Sequence, residues 1–172
     1  SVTTNEDESI VIVLSASDID GDALSFSLNT DVTNGSITLD GSIASYAPGQ
    51  DFNGSDSFIF SVSDGELIIT AEATLTITAV NDSPVLATVS DISLNEDEAV
   101  TTTLSASDVD QDALTFSTIG GNNIIDTLDG NDVTFSALQD FNGSESFSMS
   151  VTDGEYTDSQ SITVTVNAVN DA

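Results

Sequence analysis

At 172 residues the chain is long enough for one large domain or two small ones, and its 38% hydrophobic content supports packed cores rather than wholesale disorder. It carries 30 Asp and Glu and no Lys, Arg or His, a net charge of −30, so no basic side chain is present to neutralise a carboxylate. That charge excludes nucleic acid and anionic membrane surfaces as partners, and the absence of Cys excludes a disulfide framework. No run approaches the roughly 18 apolar residues of a membrane span, so membrane insertion is not expected. With neither a signal peptide nor an initiating Met, the sequence reads as an excised piece of a longer protein.

Taken in order, the chain is written twice. Asn5-Glu6-Asp7-Glu8 returns as Asn95-Glu96-Asp97-Glu98, and Asp18-Ile19-Asp20-Gly21-Asp22 returns as Asp108-Val109-Asp110-Gln111-Asp112. Asp51-Phe52-Asn53-Gly54 matches Asp140-Phe141-Asn142-Gly143, and Asp64-Gly65-Glu66 matches Asp153-Gly154-Glu155. A period of about 90 residues makes each copy a whole domain rather than a stacking unit. The expected domains are 1–82 and 83–172, joined by Val80-Asn81-Asp82-Ser83-Pro84. The first copy has no counterpart to Pro84 through Ser90, so its leading strand reads as clipped.

Within each copy the signal is strand and turn. Ile10 to Ala16 is rich in β-branched residues, and Leu24 to Leu28 and Phe58 to Val62 alternate with period two. Asp40-Gly41 reads as a hairpin turn, Asp64-Gly65 as the turn before the last strand, and Leu75 to Val80 as the end of that strand. Phe26, Phe58, Phe60, Phe116 and Phe147 fall at core positions, while Thr74, Thr76 and Thr78 fall on an outward face. About seven short strands in roughly 90 residues predict an all-β chain of two tandem immunoglobulin-like β-sandwiches.

The acid gathers in turns instead of scattering over strand exteriors. Asp18, Asp20 and Asp22 are spaced by two, as are Asp108, Asp110 and Asp112, and alternate residues of a turning loop can aim their oxygens at one point. Hard Ca²⁺ takes about six to eight oxygens, whereas Mg²⁺ suits a crowded all-protein cage less well. Without His or Cys there is no soft-ligand site for zinc, copper or haem. An EF-hand is excluded, because the twelfth residue from Asp18 is Asn29 and from Asp108 is Ile119, neither a bidentate Glu. Gly120-Gly121 is a lone pair with no nonapeptide repeat after it.

The order of these motifs resembles the cadherin repeat: an acidic first strand, a D-x-D loop, Asp-Gly before the last strand, then a V-N-D-x-P link. Within that group the chain is most similar to the bacterial cadherin-like, VCBS-type tandem repeats of large secreted adhesins. The resemblance implies Greek-key sandwiches with Ca²⁺ held between successive domains. Carried over by position, the implied ligands at the central link are Glu6, Glu8, Asp51, Asn81 and Asp82, with Asp108, Asp110, Asp112 and Asp153 from the second copy. Asn81 would serve through a carbonyl oxygen. Asp18, Asp20, Asp22 and Asp64 are implied as half of a preceding site, and Glu96, Glu98, Asn170 and Asp171 as half of a following one. Ala79 and Ser83 depart from the animal pattern and leave fewer side-chain ligands. Asp51-Phe52-Asn53-Gly54 fits the family motif imperfectly and reads more readily as a turn buried under Phe52.

The expected function is a calcium-rigidified spacer of a bacterial cell-surface or secreted adhesin, with calcium and neighbouring repeats as partners. Metal would clamp like-charged loops that otherwise repel. The alternative is a polysaccharide-binding module, with extracellular polysaccharide or a cell-surface ligand as partner. Its weakness is the want of aromatic platforms, since Trp is absent and Tyr46 and Tyr156 stand alone. An enzyme is not expected, because no His, Cys or Lys is available as base or nucleophile.

Overall fold

The computed structural model describes residues 1–170, so Asp171 lies outside the described residues. The chain divides into two compact units, Ser1–Val80 and Asn81–Ala172. The division falls two residues ahead of the expected boundary after Asp82. The cause is local: the Asn81 side chain donates to Asp153 at 3.0 Å and the Asp82 amide to Asp110 at 2.7 Å, so both residues belong to unit 2.

Unit 1 contains β1 (Val2–Asn5), β2 (Ile10–Val13), β3 (Ser25–Thr30), β4 (Gly35–Asp40), β5 (Ile43–Pro48), β6 (Gly54–Ser63) and β7 (Ile68–Thr78). They form two sheets, ordered β1-β7-β6-β3 and β2-β5-β4. The first strand lies parallel to the last, with Val2 opposite Leu75, and the other pairs are antiparallel. Alternation decides which faces meet. Leu75 and Ile77 of β7 are buried while Thr74, Thr76 and Thr78 are exposed. Phe58, Phe60, Val62 and Tyr46 pack with them, each apolar side chain removed from water contributing about 1.5–3 kcal/mol.

Unit 2 repeats the plan with β9 (Ile92–Asn95), β10 (Ala99–Thr103), β12 (Thr115–Gly120), β13 (Ile124–Asp129), β14 (Asp132–Ala137), β15 (Gly143–Thr152) and β16 (Thr157–Asn167). The sheets are β9-β16-β15-β12 and β10-β14-β13. It adds a pair that unit 1 lacks among the described residues, β8 (Val85–Leu86) against β11 (Ala106–Ser107). Phe147, Phe135, Met149 and Val164 centre its core. Of the aromatic residues expected inside, Phe58, Phe60 and Phe147 are buried and Phe26 and Phe116 are partly so.

Three local expectations shift. β2 ends at Val13 rather than Ala16, although the Leu14 amide still reaches Ser42 O at 2.8 Å. β7 ends at Thr78 rather than Val80, because the Val80 amide turns aside to the Glu6 carboxylate at 2.5 Å. The β4–β5 turn is Gly41-Ser42, one residue later than expected, since Asp40 still pairs with Ile43. Most of the acid lies in the connections, as expected, but Asp40, Asp56, Glu72, Asp126, Asp129, Asp132, Glu145 and Asp158 lie within strands.

Candidate metal centre

At one end of unit 2, the loop between β11 and β12 folds back on itself. Gln111 takes a left-handed conformation, φ 63°, in the place where unit 1 has Gly21 at φ 82°. The turn gathers Asp108, Asp110 and Asp112 so that one carboxylate oxygen of each lies within 4.8 Å of the others. Asp108 and Asp110 are half-buried and Asp112 is exposed. Asp108 Oδ1 accepts the Asp112 amide at 3.2 Å, while Asp108 Oδ2 is buried with no hydrogen-bond partner. Asp110 Oδ2 accepts the Asp82 amide at 2.7 Å.

Asp153 closes the same end. Its Oδ1 accepts the amides of Glu155 and Tyr156, both at 2.7 Å, and its Oδ2 accepts the Asn81 side chain at 3.0 Å. Burial pushes the Asp153 carboxyl up, but these hydrogen bonds outweigh it and hold the group below the usual carboxylate range. The Asn81 amide nitrogen is thus engaged, which leaves its carbonyl oxygens as the atoms it can offer a cation. The structure brings together Asn81, Asp82, Asp108, Asp110, Asp112 and Asp153, all within one unit.

The equivalent loop of unit 1 is arranged differently. Asp18 Oδ1 accepts the amides of Asp20 at 2.8 Å and Asp22 at 3.1 Å. Among the described residues, Asp18, Asp20 and Asp22 form no convergence like that of Asp108, Asp110 and Asp112. Asp64 Oδ1 accepts the Leu67 amide at 2.7 Å and the Glu66 amide at 2.8 Å, and these bonds hold its carboxyl below the usual range. Asp64 therefore opens a four-residue loop, residues 64–67, instead of a two-residue turn.

At the end of unit 1 near its C-terminus, Glu6 is 4% exposed, a deep burial for a carboxylate. Its Oε1 takes the Val80 amide at 2.5 Å and its Oε2 the Asn53 side chain at 3.5 Å. Glu8 Oε2 accepts from Asn5 at 3.3 Å. The Asp51 amide donates to Asp7 Oδ1 at 3.2 Å, with both residues left-handed at φ 55° and 58°. Asp-Phe-Asn-Gly is both a turn packed by Phe52 and a segment brought against the acidic Asn5–Glu8 corner. Unit 2 repeats the corner: Glu96 is 6% exposed and accepts the Val169 amide at 2.5 Å, and Glu98 accepts from Asn95 at 3.2 Å. Asn170 is exposed beyond β16.

Sequence reading missed Asp7 and Asn53. The signal for Asp7 was present in the repeated Asn-Glu-Asp-Glu, but strand alternation assigns it to the face opposite Glu6 and Glu8. That alternation lapses because β1 ends at Asn5 and Asp7 turns left-handed.

A donor set of carboxylates and amide carbonyls, with no nitrogen or sulfur ligand, suits a hard oxygen-seeking cation. Ca²⁺–O bonds of about 2.4 Å place opposed ligands about 4.8 Å apart, so three oxygens within 4.8 Å can share one such ion.

The bacterial Ig domain family matches the chain twice, over residues 1–78 and 81–166. A search of curated proteins returns no match. Among solved structures, human protocadherin-24 EC1-2 aligns with a TM-score of 0.66 and 20% identity, over 98% of this chain and 94% of that one. Drosophila N-cadherin EC1-4 aligns with a TM-score of 0.66 and 17% identity, over 98% of this chain and 47% of that one. An endo-fucoidan hydrolase of glycoside hydrolase family 107 aligns at a TM-score of 0.42 and 22% identity, over 99% of this chain. The chain spans only 28% of that hydrolase's length. The cadherin structures share the fold, two sandwiches of cadherin-like type.

Proposed function

The chain belongs to the bacterial Ig domain family, and on that premise we propose that its two units are calcium-binding extender repeats of a bacterial cell-surface or secreted adhesin. One observation carries the proposal. Three carboxylates converge within 4.8 Å, one of their oxygens is buried without a hydrogen-bond donor, and the sequence has no basic side chain to serve them. A buried carboxylate oxygen left so is costly unless paired. An external divalent cation is the remaining partner, and calcium is the one that tolerates a crowded cage of protein oxygens.

The ligands assigned in unit 2 are Asp108, Asp110, Asp112 and Asp153, with Asp82 and the carbonyl oxygens of Asn81. Glu6, Glu8, Asp51 and Asp7 form the acidic corner of unit 1. Glu96, Glu98, Asn170 and Asp171 are the corresponding set of unit 2, and Asp18, Asp20, Asp22 and Asp64 are the first copy's own D-x-D group. The VCBS-type subdivision is our reading from the order of the motifs. Binding to the folded state alone stabilises it by linkage, by about 2.7 kcal/mol when free calcium is 100 times Kd. An unliganded chain of charge −30 is opposed by self-repulsion, so the metal serves both to hold the loops and to relieve the charge.

The polysaccharide reading gains no aromatic platform from the fold, since Tyr46 is wholly buried and Tyr156 is 41% exposed at a loop. Calorimetric titration of metal-stripped protein at fixed ionic strength tests the calcium reading. Saturable binding with a raised melting temperature supports it; a response no greater than that to Na⁺ at matched ionic strength refutes it. Small-angle scattering with calcium and with chelator tests the extender role, which requires particle dimensions that respond to calcium.

A further inference from the structure

β12 is an edge of the four-stranded sheet of unit 2, paired with β15 on one side and with no strand on the other. Such an edge offers unpaired N–H and C=O groups to any extended backbone that can reach it. Its register with β15 runs unbroken from Thr115 to Gly120, whereas β3, its counterpart in unit 1, slips between Leu28 and Thr30. Thr115, Ser117 and Gly120 are exposed, and Ile119 is 73% exposed.

Acid guards the other edges of the three- and four-stranded sheets. β4 and β13 carry Asp40, Asp126 and Asp129 within the strand, and β1, β2, β3, β9 and β10 each have Asp or Glu within two residues of an end. Charge at an edge is a common bar to pairing with another chain. β12 has none: residues 113–125 form the longest stretch of the chain without Asp or Glu. The sheet face beside it is uncharged as well. Outward positions of β9, β16, β15 and β12 hold Ser, Thr, Asn and Ile119, while Glu145 and Asp158 share the inward parity of Phe147 and Ile162. In unit 1 the same face carries Glu72, on the parity of Thr74 and Thr76. Asp126 lies on the inward parity of Ile124, and its carboxylate accepts the Thr118 hydroxyl.

We propose that β12 is a self-association edge, at which a second copy of this chain adds its own β12 antiparallel and joins the two sheets. Charge selects the occupant. A basic partner is drawn to carboxylates, which this edge lacks, whereas an acidic partner is repelled wherever they stand. The chain itself, at −30, is such an acidic partner. Parity narrows the register. A two-fold axis through Ser117 sets Thr115 beside Ile119 of the second copy and keeps both hydroxyl-bearing faces on one side. Six residues at about 3.3 Å each give a contact about 20 Å long, smaller than a standard interface. The dimer is therefore weak, and salt promotes it by screening the repulsion between the remaining carboxylates.

The test is sedimentation equilibrium of the full chain at low and high NaCl, in chelator so that calcium cannot bridge carboxylates of two copies. The mass should rise from 17.7 kDa toward twice that value with protein concentration, and more steeply at high salt. Ile119→Glu should weaken association by about tenfold or more, because it sets a carboxylate at the joined edge. Asn29→Glu, at the matching exposed position of β3, adds the same charge and should change association little. Amide hydrogen exchange across residues 115–120 should slow with concentration in the native chain and not in Ile119→Glu. A monomeric mass at every salt concentration, equal effects of the two variants, or protection confined to other residues overturns the proposal.

Discussion

Replacing Asp112 by Asn should stabilise unit 2 without calcium and destabilise it with calcium. Asp112 is exposed, and its carboxylate accepts none of the hydrogen bonds that hold the loop, which go to Asp108 Oδ1 and Asp110 Oδ2. Neutralising it removes two like-charge pairs at separations up to 4.8 Å. In water each such pair costs about 0.9 kcal/mol at that distance, and screening at physiological ionic strength roughly halves it. Asp112→Asn in chelator should therefore gain about 1 kcal/mol. In saturating calcium the variant loses one charged ligand. A hundredfold weaker affinity removes about 2.7 kcal/mol of linkage, leaving a net loss of about 2 kcal/mol. Urea unfolding of both proteins, in chelator and in excess calcium, measures the two differences. A change of the same sign under both conditions refutes the reasoning, because a charge that only decorates the surface has no reason to reverse.

Glu145 supplies a pH dependence. Burial pushes its carboxyl up, but hydrogen bonds from the amides of Asn122, Ile124 and Asn123 and from the Asn123 side chain pull it down from 4.5 to about 2. A depressed folded-state pKa gives stability that is present above about 4.5 and lost as pH falls toward 2. The stability difference between the native chain and Glu145→Gln, followed by chemical unfolding, should shrink over that interval; a constant difference contradicts the assignment. Gln111→Gly should raise the stability of unit 2 by about 0.5–1 kcal/mol, since its φ of 63° is strained for a side chain and Gly21 fills the same position in unit 1. Thermal melts in chelator show whether the gain exists. In unit 1, Tyr46 donates to Asn34 O at 3.0 Å and lies 3.4 Å from Asp56 Oδ2, and burial together with that carboxylate pushes its hydroxyl up to about 12. Tyr46→Phe should cost about 1 kcal/mol, whereas Asp56→Ala should cost more, because it strands the amides of Thr33, Asn34 and Ser57. Equal costs for the two variants would show that Asp56 is not the organising group.

Much of this molecule is written in local pattern. The repeat at about 90 residues and the period-two alternation of β7 are properties of the local pattern, and they specify two all-β units; the Asp-Gly pairs mark where the chain turns but not the turn's bounds, which fall at Gly41-Ser42 and at residues 64–67. Spacing also pointed to Asp108, Asp110 and Asp112, because residues two apart in one turn are neighbours whatever the rest of the chain does. Spacing did not separate them from Asp18, Asp20 and Asp22, which share it without gathering in the same way. Nor did composition separate an acid that faces solvent from one that serves the backbone. Asp56 and Glu145 answer to amides more than 20 residues away, and the buried Glu6 carboxylate is met by Asn53 and by Val80, which returns to it across the whole unit. Sequence set the strands, the turns and the charge, whose causes are local. The fold alone decided which carboxylates are buried against backbone amides, because Glu6, Asp56 and Glu145 depend on residues brought to them from far along the chain.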